Sequence, residues 1–291
     1  MMSAALVWGY LLPVQAQHRL SVSVAPTFST SNFQWSIAGN NAGTNPNVYS
    51  ELRWNNIQRA GLGITASWHF MKRFDVSIQL AENYTIAGEA TDTDYKEDNR
   101  HNIAYHGTFN SNKGNHTLLA VSAGYTLPLG GNSSLTFYPG YTFSRETLYL
   151  LPADAFAPAD LRSTYTVTWK GIMTGISLKK YITSNLFVKP GIRYYQLKYL
   201  ATANWNLIPQ FNHPLSFAHN ANGYTLEPSL QLGYRALYVS CAYTYRTTGR
   251  GVEKLYLNTG AIKETQFNGA EQKILQLSIG FTARFLQRKG H

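Results

Sequence analysis

The sequence predicts an all-β protein: a ten-stranded antiparallel transmembrane β-barrel with short turns at one end and long outer loops at the other. Three observations support this fold class. Apolar and polar residues alternate with a period of two, turn lengths alternate between short and long, and the composition is aromatic and rich in glycine. The chain of 291 residues has 20 Tyr, 14 Phe and 23 Gly with only 14% charged residues, a composition that favours strands.

The alternation is clearest near the C-terminus, where apolar residues from Leu275 to Phe285 alternate with polar or small residues from Gln276 to Arg284. Alternation over about ten residues is typical of a strand with one face in lipid and the other in a lumen. A soluble sandwich would also alternate, but the aromatic residues here cluster near strand ends, as they do at membrane interfaces. The same pattern recurs at 20–28, 62–70, 74–80, 119–127, 226–234 and 237–245.

The connections between these segments predict the topology. Short turns are expected at 71–73, 129–134, 182–184 and 235–236, and long polar loops at roughly 33–47, 88–104, 152–162, 203–222 and 248–270. Counting the strands between them gives ten, with the short turns facing the periplasm and the long loops facing the cell exterior. A wide channel is not expected, because side chains largely fill so narrow a barrel. Each proline within a strand removes a ladder donor and is expected at a bulge or strand end: Pro26, Pro139, Pro190 and Pro228.

The N-terminus predicts export. A short apolar run from Ala4 to Leu12 is followed by the small-residue cleavage signal Pro13–Ala16. We therefore expect a signal peptide over 1–16, a mature barrel domain over 17–291 and a location in the bacterial outer membrane. No stretch approaches the ~18 to 20 apolar residues of a membrane helix.

Charge and cysteine content limit which partners and cofactors are expected. The single Cys241 gives no internal disulfide and, with no second cysteine, no metal cluster, so no metal or cofactor is expected. The formal charge of +10 favours an acidic partner, which in this membrane is the phosphorylated head group of lipopolysaccharide. The alternative is a generally basic soluble surface. Nucleic acid is not expected, because no basic helix or binding motif accompanies the charge. We expect a monomer.

Several motifs occur in an order and spacing that resemble the omptin family of outer-membrane surface endopeptidases. The loop after the third strand carries Asp92 and Asp94 in an Asp-x-Asp-aromatic motif, followed by Glu97 and then Arg100-His101. The resemblance covers nearly the whole mature chain at low identity. Further matching segments are Ser50–Trp54, Trp68–Met71, Gly140–Tyr141 with Arg145, and Asn268–Glu271.

The resemblance implies an aspartic-type endopeptidase that hydrolyses surface-accessible peptides. In that family an Asp-Asp pair and an Asp-His pair hold a water between them, and the histidine is the general base. Asp92 and Asp94 match the first pair, and in exposed loops their pKa values would be near ~4. Asn204 and Asn206 stand at the positions of the second pair, and asparagine cannot serve as a base.

Other site residues follow from the same resemblance. Glu97 is expected to bind substrate, and His101 is the first candidate for a substitute base. Three further outer-loop histidines are candidates for that role: His106, His213 and His219.

A lipopolysaccharide site is also implied, at Tyr141, Arg145 and Lys179, because Arg and Lys suit phosphate. The alternative is ordinary interfacial anchoring by long side chains.

Three functional hypotheses remain open on the sequence. The first is an omptin-like endopeptidase with an incomplete site, whose activity could require lipopolysaccharide and whose substrates would be peptides or proteins at the cell surface. The second is a protease-dead barrel that binds lipopolysaccharide or a host or matrix protein through its outer loops. The third, a small channel or lipid-modifying barrel, rests on architecture alone.

Overall fold

The computed structural model describes residues 19–286. The predicted signal peptide (1–16), its cleavage point before Gln17 and the tail after Leu286 lie outside the described residues. No helix in the described part is long and apolar enough to cross a membrane. The thirteen strand segments are β1 Arg19–Ile37, β2 Ser50–His69, β3 Phe74–Glu97, β4 His101–Asn110, β5 Gly114–Gly130, β6 Ser133–Phe137, β7 Gly140–Leu150, β8 Ser163–Tyr181, β9 Leu186–Asn204, β10 Phe217–Tyr234, β11 Leu237–Thr248, β12 Gly251–Tyr256 and β13 Ile262–Leu286.

Antiparallel pairing joins these segments into a closed ring. The ring runs through ten strands in the order β1, β2, β3, β5, β7, β8, β9, β10, β11 and β13, and returns to β1. The three shorter segments extend it: β4 pairs β3, β6 lies between β5 and β8, and β12 lies between β10 and β13. The predicted all-β antiparallel fold is confirmed. Ring closure pairs backbone groups that would otherwise be exposed at a sheet edge.

The short turns lie where the sequence predicts them, but two of the long loops do not. The predicted loop 88–104 is mostly the β3–β4 hairpin, and the predicted loop 248–270 is mostly the hairpin of β12 and β13. These predictions are wrong because the strands continue well past the segment with apolar outward residues, so the end of apolar alternation does not mark the end of a strand. Pro139 does mark an interruption, since it separates β6 from β7.

One end of the ring, toward the short turns, carries an apolar belt on its outward face. Ile279 is 67% exposed, whereas its neighbour Ser278 is 8% exposed and faces inward. An outward row of large apolar residues beside an inward row of small polar ones is the pattern of strands in a lipid bilayer. Every strand of the ring contributes to this belt; examples are Phe28, Leu62, Ile78, Leu119, Tyr141, Ile172, Ile192, Leu230, Val239 and Leu277.

Toward the long loops the polarity inverts. On β8, Ile172 points outward near the short-turn end, but farther along the outward positions are Thr164, Thr166 and Thr168. The inward positions there hold the buried Tyr165, Val167 and Trp169. Other strands of the ring contribute further buried inward rings at this end: Phe33, Trp35, Trp54, Tyr199 and Phe267. This half of the ring is therefore built like a water-soluble protein, polar outside with an apolar interior.

The inward rings form a continuous layer across the lumen, here called the aromatic layer. Tyr165 stacks on Trp35 at 5.5 Å and on Trp54 at 5.4 Å between ring centroids. On the other side, Tyr199 stacks on Phe267 at 5.4 Å. Stacked and edge contacts of this kind add ~0.5 to 1.5 kcal/mol each beyond the burial of area. Its members are Phe33, Trp35, Trp54, Tyr165, Trp169, Tyr199, Trp205, Phe217, His219 and Phe267.

A second layer of charged side chains lies next to the aromatic layer, on its short-turn side, and is here called the ion layer. Arg59 pairs with Glu146, and Gln272 Nε2 donates to the same carboxylate at 2.7 Å. The Arg246 guanidinium lies 5.9 Å from the centre of the Trp169 ring, which joins the two layers. All four side chains are buried. Breaking a buried pair of this kind typically costs ~3 to 5 kcal/mol.

The inward and outward assignment predicts how charge is tolerated on β13. Ile279→Arg should destabilise insertion by ~2 to 4 kcal/mol, because it places a cation near the middle of the lipid face. Gln276→Arg, at an inward position three residues earlier, should cost clearly less. Heat-modifiable migration on a gel, measured along a urea series, reports folding for both variants. Equal destabilisation at the two positions would contradict the register.

Candidate functional site

The pair Asp92 and Asp94 lies inward at the mouth of the long-loop end. Register places Asp92 opposite Leu52 and Asp94 opposite Ser50, on the face that carries the buried Trp54. The Ser50 hydroxyl donates to Asp92 at 3.4 Å. The two carboxylates therefore share one side of the mouth, as the sequence predicts for the first half of the site.

Both carboxylates are in a less polar place than exposed loops would provide. Burial, together with the charge of Asp94, raises the pKa of Asp92 to about 7, and burial raises the pKa of Asp94 as well. Tyr105 lies beside them on β4, and burial and the two acids raise its pKa too. The expectation of ordinary pKa values near 4 is wrong for Asp92, because the strand hairpin encloses it.

The second half of the predicted site is not assembled. Asn204 is at an outward position of β9 and bonds His213, with 2.8 Å between Asn204 Oδ1 and His213 Nδ1. Asn206 Oδ1 accepts from the backbone N–H of Arg162 at 2.9 Å, so it ties two loops together. Neither side chain points into the lumen beside the acid pair. Buried residues fill the inward positions at this end of β9: Ala201, Ala203 and Trp205.

A histidine does lie on the inward face, but inside the aromatic layer. His219 Nε2 is 3.1 Å from Glu253 Oε2, and its Nδ1 is 2.6 Å from the hydroxyl of Tyr165. The Tyr165 hydroxyl in turn bonds that of Tyr199 at 2.5 Å. His219 is 2% exposed, with the ring of Phe267 stacked 4.3 Å away. Both ring nitrogens have partners and the ring is buried, so His219 and Glu253 belong to the packing of the aromatic layer.

The other predicted site residues lie on the outside of the mouth. His101 begins β4 and pairs with Glu97, and both are exposed. His106 bonds Thr93 at 2.9 Å on the outward face of the hairpin. Glu97 accepts from Asn102 at 3.0 Å. Among the described residues, no histidine is hydrogen-bonded to either Asp92 or Asp94.

The residues predicted to bind lipopolysaccharide separate into two places. Tyr141 and Arg145 lie outward on β7, at the upper border of the apolar belt. Lys179 lies inward near the short turns, eleven residues along β8 from the partner of Arg145, Thr168. At roughly 3.3 Å per residue the separation is about 36 Å. Lys179 therefore does not belong to this cluster.

Two lysines that the sequence analysis did not single out lie close to Arg145. Lys170 on β8 pairs with Lys198 on β9, and both are outward. Lys170 is also paired with Phe143, two residues from Arg145, so the three cations form one patch. The sequence signal that could have identified them is strand alternation. On β8 and β9 the even-numbered residues face outward, as Ile172 and Ile192 do, and Lys170 and Lys198 are both even-numbered.

The raised pKa of Asp92 predicts that stability depends on pH. The folded pKa exceeds that of an unfolded aspartate, so the folded mouth holds more protons between about pH 4 and pH 7 and loses stability as the pH rises through that range. Asp92→Asn should remove most of this dependence. Amide hydrogen exchange in β3 and β4 at about pH 5 and about pH 8 measures it, with the exposed Asp160→Asn as control. If the protection factors of β4, corrected for the intrinsic rise of amide exchange with pH, were equal at both pH values in the unsubstituted protein, the assignment would be wrong.

Comparison with known proteins places this geometry in context. Among solved structures, the outer membrane protease OmpT from Escherichia coli has a TM-score of 0.70 at 12% identity, covering 95% of this chain and 99% of that chain. The translocator domain of autotransporter NalP from Neisseria meningitidis gives 0.38 at 11% identity, covering 89% and 88%. The outer membrane protein OprG from Pseudomonas aeruginosa gives 0.35 at 9% identity, covering 92% and 96%.

The likeness to OmpT shows a shared fold, and at 12% identity it shows no more than that. No curated protein matches the chain by sequence. The family model described as Pom, Protochlamydia outer membrane protein, matches residues 27–275. That span includes most of every strand of the ring, and the apolar belt agrees with an outer-membrane location. The chain therefore belongs to the Protochlamydia outer membrane protein family.

Proposed function

We propose that this chain is a ten-stranded transmembrane barrel that presents a recognition surface outside the cell and has no endopeptidase activity. The short turns would face the periplasm and the strand hairpins the exterior. One observation carries the proposal: the inward positions that could complete a catalytic site with Asp92 and Asp94 hold Ala203 and Trp205, and the two inward histidines that have buried ring nitrogens lie deeper, His219 in the aromatic layer and His116 beside the ion layer.

Peptide hydrolysis through a water needs a base within hydrogen-bond reach of that water. Asn204 and Asn206 cannot accept the proton, and both are already bonded within the loops. His219 would have to leave Glu253, Tyr165 and the rings that cover it. Asp92, whose pKa burial and the charge of Asp94 raise to about 7, has the basicity that a general base needs, and the endopeptidase alternative rests on it.

The recognition surface would be the outer edge of β4. This strand pairs with β3 on one side, and on the other side the described residues give it one bridge, between Asn110 and Leu151. Ile103 and Tyr105 on it are 59% and 46% exposed. An exposed edge without lysine or proline is a template for another strand. The partner would be an extended segment of a host or matrix protein that adds to the sheet beside β4.

Both parts of this proposal can be tested with one peptide library. The protein, reconstituted with lipopolysaccharide, is incubated with the library, and mass spectrometry reads the released and the retained peptides. We expect retention without cleavage. Ile103→Lys with Tyr105→Lys should reduce retention, because charge on an edge strand blocks pairing, whereas Ile262→Lys, at a comparably exposed position, should not.

The endopeptidase remains the second candidate, supported by the inward acid pair and the shared fold. Cleavage that vanished with Asp92→Ala would establish it and overturn the proposal. Cleavage that survived Asp92→Ala and Asp94→Ala but was lost with His101→Ala or His213→Ala would place a base on the loops. Loss of retention in the Ile262→Lys control as well would contradict the β4 surface.

The lipid partner would be lipopolysaccharide, bound through Arg145, Lys170 and Lys198. Like charges directly opposite each other on paired strands destabilise a sheet, and the described residues provide no acid in a salt bridge with these three. A phosphate between Lys170 and Lys198 would turn that repulsion into attraction. Their position at the border of the apolar belt is the level of lipid head groups, and Tyr141 would lie beside the first sugar or acyl chain.

Replacing both lysines, Lys170→Gln with Lys198→Gln, should lower the affinity for lipopolysaccharide and flatten its dependence on salt, because screened attraction has been removed. Lys179→Gln is the matched control, since that lysine faces the lumen about 30 Å farther along β8. Affinity is measured by titration of the detergent-solubilised protein at two ionic strengths. Equal effects of the lumen and belt variants would contradict the site.

A further inference from the structure

Two lysines face each other inside the ring, near the short turns. On β8 and β9, Ser177 pairs with Gly191 and Lys180 with Val188, so the register places Lys179 opposite Lys189. The burial pattern turns both side chains inward, whereas Lys180 points outward. Like charges in such a cross-strand pair repel. An anion between the two ammonium groups would remove this repulsion.

A cradle lies beside this pair. Gly191 is flanked on its two neighbouring strands by Ser177 and Ser229. A Cβ at position 191 would stand 3.3 Å from Ser229 Oγ and 3.3 Å from Ser177 Cβ, so the glycine keeps open a space that a side chain would fill. The Ser177 hydroxyl is buried and has no hydrogen-bond partner in the described part of the chain.

The surrounding groups are mostly donors. Gln231 lies opposite Lys189 on β10. Arg193, two residues beyond Gly191, uses Nη1 to hold Glu227 at 2.8 Å and leaves its buried Nε without a partner. Lys179 Nζ lies 4.1 Å from the centre of the Phe187 ring.

Two acids accompany these donors, and both already accept hydrogen bonds. Glu227 is paired with Arg193 and also accepts from Thr244 at 3.2 Å. Asp75, on the distant strand β3, accepts from Ser77 at 3.1 Å. Lys179 and Lys189 form no salt bridge within residues 19–286.

We propose that this anion cradle, formed by Ser177, Lys179, Lys189, Arg193 and Ser229 around Gly191, binds a small soluble phosphate. The two ammonium groups would supply charge, and the serine hydroxyls and Arg193 Nε would donate to the remaining oxygens. Charge-assisted bonds of this kind are about twice as strong as neutral ones. The ligand is a solute rather than a membrane lipid, because the cradle faces the lumen and bilayer lipid meets the outward face.

The cradle is separate from the proposed recognition surface. The ion layer and the aromatic layer lie between it and the long-loop end, so a solute reaches it from the short-turn end. It would therefore bind its ligand whether or not the outer surface recognises a protein.

The test is a calorimetric titration with inorganic phosphate at constant ionic strength. The sample is the full-length, folded protein in zwitterionic detergent. Lys189→Gln should weaken binding at least about tenfold, equal to about 1.4 kcal/mol. Lys180→Gln, at the adjacent outward position, is the matched control and should leave binding unchanged. Gly191→Ala keeps every charge but fills the cradle, and it should also weaken binding. Heat-modifiable migration verifies that each variant is folded.

Two further ligands, glycerol phosphate and lipopolysaccharide micelles, distinguish a soluble phosphate ligand from the phosphate of a lipid head group. Binding of inorganic phosphate and glycerol phosphate that is lost in Lys189→Gln supports the cradle. The cradle would be overturned if Lys180→Gln weakened phosphate binding as much as Lys189→Gln, or if Gly191→Ala left phosphate binding unchanged. It would also be overturned if the protein bound only the lipopolysaccharide micelles. Absence of binding to inorganic phosphate would overturn it as well.

Discussion

A ring of ten strands encloses a space so narrow that side chains alone can fill it, and the rest of this structure depends on that constraint. Where the aromatic layer and the ion layer fill the lumen, inward residues pack against residues from the opposite wall rather than against water. Arg59 and Glu146 meet across it, and Tyr165 is enclosed by rings from β1 and β2. The interior therefore behaves as a protein core with one charged layer. Packing by neighbouring side chains decides which polar groups of this core remain free to react or to bind.

The same strands pass from a half of the ring whose outward face meets lipid to a half whose outward face meets water. Near the short turns the outward residues meet lipid and inward positions accept polar residues, as Ile279 and Ser278 illustrate. Beyond the belt the outward face meets water, so the apolar residues move inward, as on β8 from Thr164 to Trp169. The catalytic possibilities follow from this inversion. A polar mouth could hold a water between opposed acids and a histidine, whereas here His219 is one ring among many in the aromatic layer.

The sequence predicted the structure well where each face of a strand segment keeps one environment along its whole length. The strands, short turns and lipid face were predictable because apolar alternation is strong along segments such as 275–285. The hairpin at Glu97 and His101 was not, because polar residues dominate both faces of an extension in water. The acid pair could be placed from its motif, whereas His219 and the pairing of Lys170 with Lys198 depend on contacts between strands. Lys179 was misassigned because parity alone decides whether a lysine faces lipid or lumen, and a resemblance at low identity does not fix parity.

We infer that the aromatic layer and the ion layer together seal the lumen. Ion conductance across a planar bilayer containing the purified protein tests it most directly. The account predicts no steady conductance for the intact protein, and a measurable one when Trp169→Ala and Arg246→Ala together remove the contact that joins the two layers. A steady conductance through the intact protein, unchanged by that double substitution, would contradict the account.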